Sequence, residues 1–146
     1  NKAWDAERAM SCVYIGDCFK GLRLIKDALK WYFRATDMFP NMREGWLRMA
    51  DLYREQDMKR HALSVAHAAL TIPNPGLYCC QANYYKDFPH WIVYWASYWL
   101  KDLDTAKTHW KKAIEYEPNN QQYNNDRMFF EENTTSTPGT RIVIAS

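Results

Sequence analysis

Residues 43–72 read REGWLRMADLYREQDMKRHALSVAHAALTI. Trp46, Met49, Ala50 and Tyr53 recur at three- and four-residue intervals, and Ala62, Leu63, Ala66, Ala69 and Leu70 do so again beyond the polar stretch Glu55-Gln56-Asp57. That period is the apolar face of a helix and not the alternation of a strand, so the stretch predicts two helices joined by a short turn. The alanines have a mechanical role. Antiparallel helices approach to about 8 to 10 Å only where the contact side chains permit it, so Ala50 against Ala62 marks a crossing point.

The same pattern lies upstream. Displacing the chain by 34 residues sets Cys12 on Trp46, Ile15 on Met49, Gly16 on Ala50, Phe19 on Tyr53, Ala28 on Ala62, Leu29 on Leu63, Ala35 on Ala69 and Met38 on Ile72. A third copy shows in its second helix, where Ala106, Trp110, Ala113 and Pro118 repeat the intervals of Ala28, Tyr32, Ala35 and Pro40. Ala62 to Ala106 is 44 residues, so ten have been inserted, and Pro73-Asn74-Pro75-Gly76 places them in an irregular excursion over 73–88. Taking Ala96 as the small crossing residue of the third unit leaves ten residues to Ala106 where the earlier units have twelve. That spacing predicts a tighter turn through Lys101-Asp102-Leu103-Asp104, with Asp102 or Asp104 capping the next helix. Helices are thus predicted over 3–20, 22–38, 42–55, 58–72, 89–101, 104–117 and 120–131. The last, opening on Asn119-Asn120-Gln121-Gln122 and continuing through Tyr123, Met128 and Phe129, suits a polar-faced cap. The helical domain therefore spans 1–131 and a linker and tail span 132–146. The closing Arg141-Ile142-Val143-Ile144-Ala145-Ser146 follows Pro138-Gly139 and resembles a first strand, either of a further domain or of a pairing with a neighbour.

The set Gly16, Phe19, Ala28, Tyr32, Ala35 and Pro40, with Trp46, Ala50, Tyr53, Ala62 and Ala69, resembles the tetratricopeptide repeat (TPR), a 34-residue helix-turn-helix unit, over about residues 9–118. The resemblance implies an all-α, TPR-like α-solenoid of about three antiparallel helical pairs plus a terminal capping helix. It also implies a non-catalytic interaction module that binds a protein or peptide or self-associates. In such a stack the first helix of each unit lines a concave surface used for binding. There Asp17 aligns with Asp51 and Lys20 with Arg54, an acid and a base three residues apart in each unit. These four are candidate groove residues, or simply intrahelical ion pairs. Family members that hold a partner's C-terminal carboxylate place Asn and Lys along this groove, and the acids Asp17 and Asp51 argue against that clamp.

Trp91, Tyr94, Trp95, Tyr98 and Trp99 put five large rings on about two helical turns, too many for one face to hide. Trp91, Tyr94, Trp95 and Tyr98 are the second candidate binding patch, for a protein partner or a glycan. Core packing beneath Tyr78, Tyr84, Tyr85 and Phe88 is the alternative. A narrower resemblance joins Arg43, Glu44, Ala50, Tyr53, Ala69, Leu70, Ile72 and Pro73 to the helical repeats that follow the catalytic domain in some bacterial and phage family 2 glycosyltransferases. It implies an accessory module contacting acceptor glycan or the catalytic domain, with no catalytic residue in this chain.

The composition excludes other classes. The 146 residues are 47% hydrophobic and 25% charged, with five glycines, which is neither collagenous nor disordered. The 23 aromatics, 7 Trp, 10 Tyr and 6 Phe, stand out. Nineteen Lys and Arg against seventeen Asp and Glu leave +2, spread along the chain, so no nucleic acid partner is expected. No apolar run approaches the roughly 20 residues that span a bilayer, and the chain reads as soluble with no membrane partner. Cys12, Cys18, Cys79 and Cys80 lack C-x-x-C spacing and read as free thiols of a reducing, cytoplasmic compartment. His61, His67, His90 and His109 lack H-E-x-x-H spacing, and no glycine-rich loop cradles phosphate, so neither a metal, a cofactor nor an enzyme is expected. Asp102-Leu103-Asp104 reads as a helix cap and not as a metal-binding D-x-D. The opening on Asn1 without a methionine predicts a piece of a longer protein.

Overall fold

The computed structural model describes residues 1–131; the linker and tail at 132–146, with the strand expected at 141–146, lie outside the described residues. The helices are α1 (Lys2–Gly21), α2 (Ile25–Met38), α3 (Glu44–Glu55), α4 (Lys59–Leu70), α5 (Asp87–Trp99), α6 (Leu103–Tyr116), α7 (Gln121–Asn125) and α8 (Arg127–Phe130), with no strand among the described residues. Consecutive helices pack in pairs, α1 on α2, α3 on α4 and α5 on α6, and the pairs stack through α2 on α3 and α4 on α5. α1, α3 and α5 lie side by side, which makes them one wall of the stack.

Each pair is closed by the same turn. The N–H of Leu24 donates to the carbonyl of Phe19 at 2.9 Å, that of Met58 to Tyr53 at 2.8 Å and that of Asp102 to Ser97 at 2.8 Å. The residue before each, Arg23, Asp57 or Lys101, donates to the carbonyl three back and takes φ of 61°, 60° or 69°. This is a Schellman ending, in which one left-handed residue lets two N–H groups satisfy the last helical carbonyls. Asp102 then caps α6 by accepting the N–H of Thr105 at 3.2 Å.

These turns correct the register expected for the third unit. Counted from the left-handed residue, Gly16, Ala50 and Tyr94 stand seven before, Ala28, Ala62 and Ala106 five after, and Tyr32, Ala66 and Trp110 nine after. The crossing residue of the third unit is therefore Tyr94 and not Ala96, and its turn is no tighter than the others. Tyr94 and Trp110 are both large and both 0% exposed. The space between them is filled from the cap. Phe130 stacks on Trp110 with centroids 5.4 Å apart and meets Tyr94 edge-on at 5.7 Å. The single capping helix expected over 120–131 is instead broken into α7 and α8 at Asp126. That buried carboxylate turns inward to accept the Tyr94 hydroxyl at 2.7 Å and the Gln122 amide at 2.9 Å.

Elsewhere the small residues lie where helices touch. Ala28, Ala35, Ala50, Ala62, Ala69, Ala106 and Ala113 are all at most 1% exposed. Gly16 shows the tightest approach: a Cβ there would stand 2.5 Å from the Tyr32 ring and 3.2 Å from the Ala28 carbonyl. Tyr32 cannot swing away, because its hydroxyl is held by Asp17 at 2.7 Å. A Cβ on Gly21 would meet nothing within 4 Å. Gly16→Ala is therefore expected to lose about 1–2 kcal/mol, overpacking outweighing the helix-propensity gain. Gly21→Ala is expected to be neutral or to gain up to about 1 kcal/mol. Urea unfolding of both variants checks the pair.

Candidate functional site

The wall formed by α1, α3 and α5 carries the predicted groove residues. Asp51 and Arg54 make the intrahelical pair expected of them, at 2.8 Å. Asp17 and Lys20 do not pair with each other. Asp17 accepts from Arg48 Nε at 3.0 Å and Lys20 reaches Glu55 at 2.8 Å, so both cross from α1 to α3. Arg48 and Glu55 complete these pairs and escape the repeat reading, because they align with Tyr14 and Gly21 and so leave no periodic signal.

Both arginines stand over aromatic rings. Arg54 sits 4.7 Å over Trp91 and Arg48 5.4 Å over Tyr84, contacts that strengthen as water is excluded. Burial opposes the charge on Arg48, but Tyr84 and Asp17 outweigh it and raise its pKa. Burial in turn pushes the Tyr84 hydroxyl up to about 12, against the opposing pull of Arg48. The carboxylates are the more exposed partners. Asp17 is 36% exposed beside Arg48 at 19%, and Asp51 21% beside Arg54 at 11%. The six charges Asp17, Lys20, Arg48, Asp51, Arg54 and Glu55 thus neutralise one another. Their cleft, open between α1 and α3 and walled by Tyr84, offers hydrogen-bonding edges without an unpaired cation among those six.

The structure divides the predicted aromatic patch. Tyr94 and Trp95, at 0% and 3% exposure, are core and not binding surface, a correction with a simple cause: both point into the contact between α5 and its neighbours. Trp91 is half-buried between Phe88 and Arg54 at the groove floor, and its indole N–H has no hydrogen-bond partner among the described residues. Tyr98 is also half-buried and packs edge-on against Trp99, Phe129 and Phe130 near the cap.

The inserted segment, residues 71–86, lies against this same wall. It runs without regular structure through 73–77 and closes with a single 3₁₀ turn, Ala82–Tyr85. Glu44, at 0% exposure, accepts the Gln81 N–H at 2.6 Å and the Tyr85 hydroxyl at 2.8 Å. Arg43 donates to the carbonyls of Ile72 at 2.7 Å and Tyr84 at 3.1 Å. Arg48 donates to the Gln81 side chain at 2.6 Å and to the Tyr84 hydroxyl, and Tyr78 donates to Glu7 of α1. The sequence marks the insertion as irregular but contains no signal for these partners.

A cluster of histidines lies between α4, α5 and α6. His90 and His109 face each other through Nδ1 atoms 2.9 Å apart, and His67 meets His109 edge-on with centroids at 5.7 Å. One neutral ring donates and the other accepts, so the pair holds only while at least one is unprotonated. Burial pulls both pKa values down to about 4, aided for His90 by His109, Lys112 and Arg43 and for His109 by Lys112 and His67. The folded values lie below the ordinary 6.5, so between about pH 6.5 and 4 the unfolded chain binds more protons. This contribution is present above pH 6.5 and is lost as the pH falls toward 4. The urea midpoint is expected to drop between pH 7 and 5, and the His90→Asn/His109→Asn double variant to flatten that slope. Among the described residues no three His, Cys, Asp or Glu side chains could hold a metal ion, and no helix is long and apolar enough to cross a membrane.

No protein-family model and no curated protein sequence matches the chain. Among solved structures it is similar to the first TPR domain of Spaghetti (RPAP3) bound to the HSP90 peptide SRMEEVD, with TM-score 0.70 and 19% identity, covering 83% of this chain and 88% of that one. It is also similar to the C-terminal TPR-containing domain of an FK506-binding protein of Plasmodium falciparum, with TM-score 0.66 and 18% identity, covering 86% and 87%. Neither is a glycosyltransferase. At these identities the likeness establishes the architecture: the chain has an all-α, TPR-like fold.

Proposed function

We propose that the chain is a non-catalytic interaction module that holds a protein or peptide segment against α1, α3 and α5. The observation that carries this reading is the inner wall itself, where Asp17, Lys20, Asp51 and Arg54, joined by Arg48 and Glu55, form one cross-helix lattice floored by Trp91. A solenoid presents such a wall as its extended concave surface. The peptide bound by the RPAP3 domain supports the reading by analogy of fold. The chemistry differs from a carboxylate clamp. A chain terminus would meet the more exposed carboxylates of Asp17 and Asp51 and find their cations already paired, so recognition here rests on main-chain hydrogen bonds to the lattice and on stacking at Trp91 and Tyr98.

A panel of fluorescent peptides screened against the protein tests this. The best binder is expected to weaken at least tenfold in the Lys20→Ala/Asp51→Asn variant, with circular dichroism unchanged, and to be indifferent to Lys107→Ala on the exposed side of α6. A binder insensitive to the groove changes and lost with Lys107→Ala would place binding on the outer face and overturn the proposal. If the partner is a second copy, sedimentation equilibrium is expected to show a dimer that the same groove variant dissociates.

A further inference from the structure

The inserted segment contacts the wall as a bound peptide would. Its main chain is held by two adjacent residues at the start of α3: Glu44 holds the Gln81 N–H, and Arg43 holds the carbonyls of Ile72 and Tyr84. Its side chains are read as well, Tyr85 by Glu44, Gln81 and Tyr84 by Arg48, and Tyr78 by Glu7. Both donors to the buried Glu44 carboxylate come from this segment. We infer that residues 77–86 are an in-cis occupant of the groove, a strap that a partner's extended segment displaces to reach Arg43, Glu44 and Arg48.

The strap is built to lift. Of the sixteen residues 71–86, Tyr84 alone is buried, and Leu77, Cys79, Cys80 and Tyr85 rest only partly covered on the core, so a local opening exposes one fully buried ring. Pro73, Pro75 and Gly76 separate it from α4, and Gly76 at φ 71° with its N–H on Asn74 Oδ1 at 2.8 Å forms a turn at which the chain can swing. Lifting removes both donors from Glu44, the Tyr84 carbonyl from Arg43, which keeps those of Leu70 and Ile72, and the Gln81 and Tyr84 side chains from Arg48, which keeps Asp17, leaving polar groups that any replacement must satisfy. That defines the displacing partner. It is an extended polypeptide supplying a main-chain N–H and a tyrosine hydroxyl to Glu44, and carbonyl or side-chain amide oxygens to the two arginines. The inference rests on the groove being the binding surface and adds that its end at Arg43, Glu44 and Arg48 is occupied until a partner of this chemistry arrives.

Hydrogen exchange on the whole chain tests it, with the probe peptide acetyl-LYSSQANYYK-amide, the sequence of 77–86 with serine in place of both cysteines. Amides of 77–86 are expected to exchange at least 100-fold faster than those of α3 and α5. Tyr85→Phe, which removes one donor to Glu44 and the acceptor of the Arg43 N–H, should raise strap exchange about tenfold, leave helical protection unchanged, and let the probe bind about tenfold more tightly than it binds the parent. Gln81→Ala, which spares Tyr85, gives the same readout should Tyr85→Phe lower helical content. Strap amides that exchange only together with α3 and α5 overturn this inference and leave the groove reading standing. A strap that opens in Tyr85→Phe without binding the probe overturns both.

Discussion

Everything in this fold follows from one backbone constraint, a left-handed residue at the same place in three turns. Such a conformation costs a residue with a Cβ about 1–2 kcal/mol, and the chain accepts it at Arg23, Asp57 and Lys101. In return each turn satisfies the carbonyls at the end of its first helix and fixes the register in which the second returns. Once that register is set, the facing residues are dictated. Where they are small, as at Gly16 and Ala50, the helices meet directly. Where they are large, as at Tyr94 and Trp110, something must fill the wedge, and the broken cap with Phe130 and Asp126 does so.

The same stacking lines up α1, α3 and α5 and so creates the wall on which the charged lattice is built. Ion pairs of this kind contribute little when fully exposed, but those of Arg48 and Arg54 are shielded by Tyr84 and Trp91. Tyr84 belongs to the insertion, so the ten extra residues are not an external decoration. Through Tyr84, whose hydroxyl accepts from Arg48, they wall one side of the cleft that the lattice lines.

How much of this was legible in the sequence depended on whether a residue's partner was periodic. The two 34-residue units declared themselves through Gly16, Ala28, Ala50 and Ala62, and their helices form where the spacing placed them. In the third unit the small-residue pattern points to Ala96, two residues past the true crossing, because the position itself is filled by the large Tyr94. Asp17, Lys20, Asp51 and Arg54 were visible because they repeat, whereas Arg48 and Glu55, which complete their pairs, stand opposite Tyr14 and Gly21 and repeat nothing. Trp95 and Tyr94 belonged to a run too aromatic to bury on one face, and the run was buried on several because α4, α6 and the cap surround α5. The grip of Arg43, Glu44 and Arg48 on the insertion joins residues 29 to 41 apart through a segment without periodicity, and only the folded chain brings them together.

The turn at Lys101, and not the position of a small residue, sets how the third pair meets. Nuclear Overhauser contacts of the Tyr94 ring in a selectively labelled sample test it most directly. Cross-peaks are expected from Tyr94 to the rings of Tyr123 and Phe130, which lie 6.0 and 5.7 Å away between centroids. Their absence, together with cross-peaks between the methyl groups of Ala96 and Ala106, would restore the shifted register and contradict it.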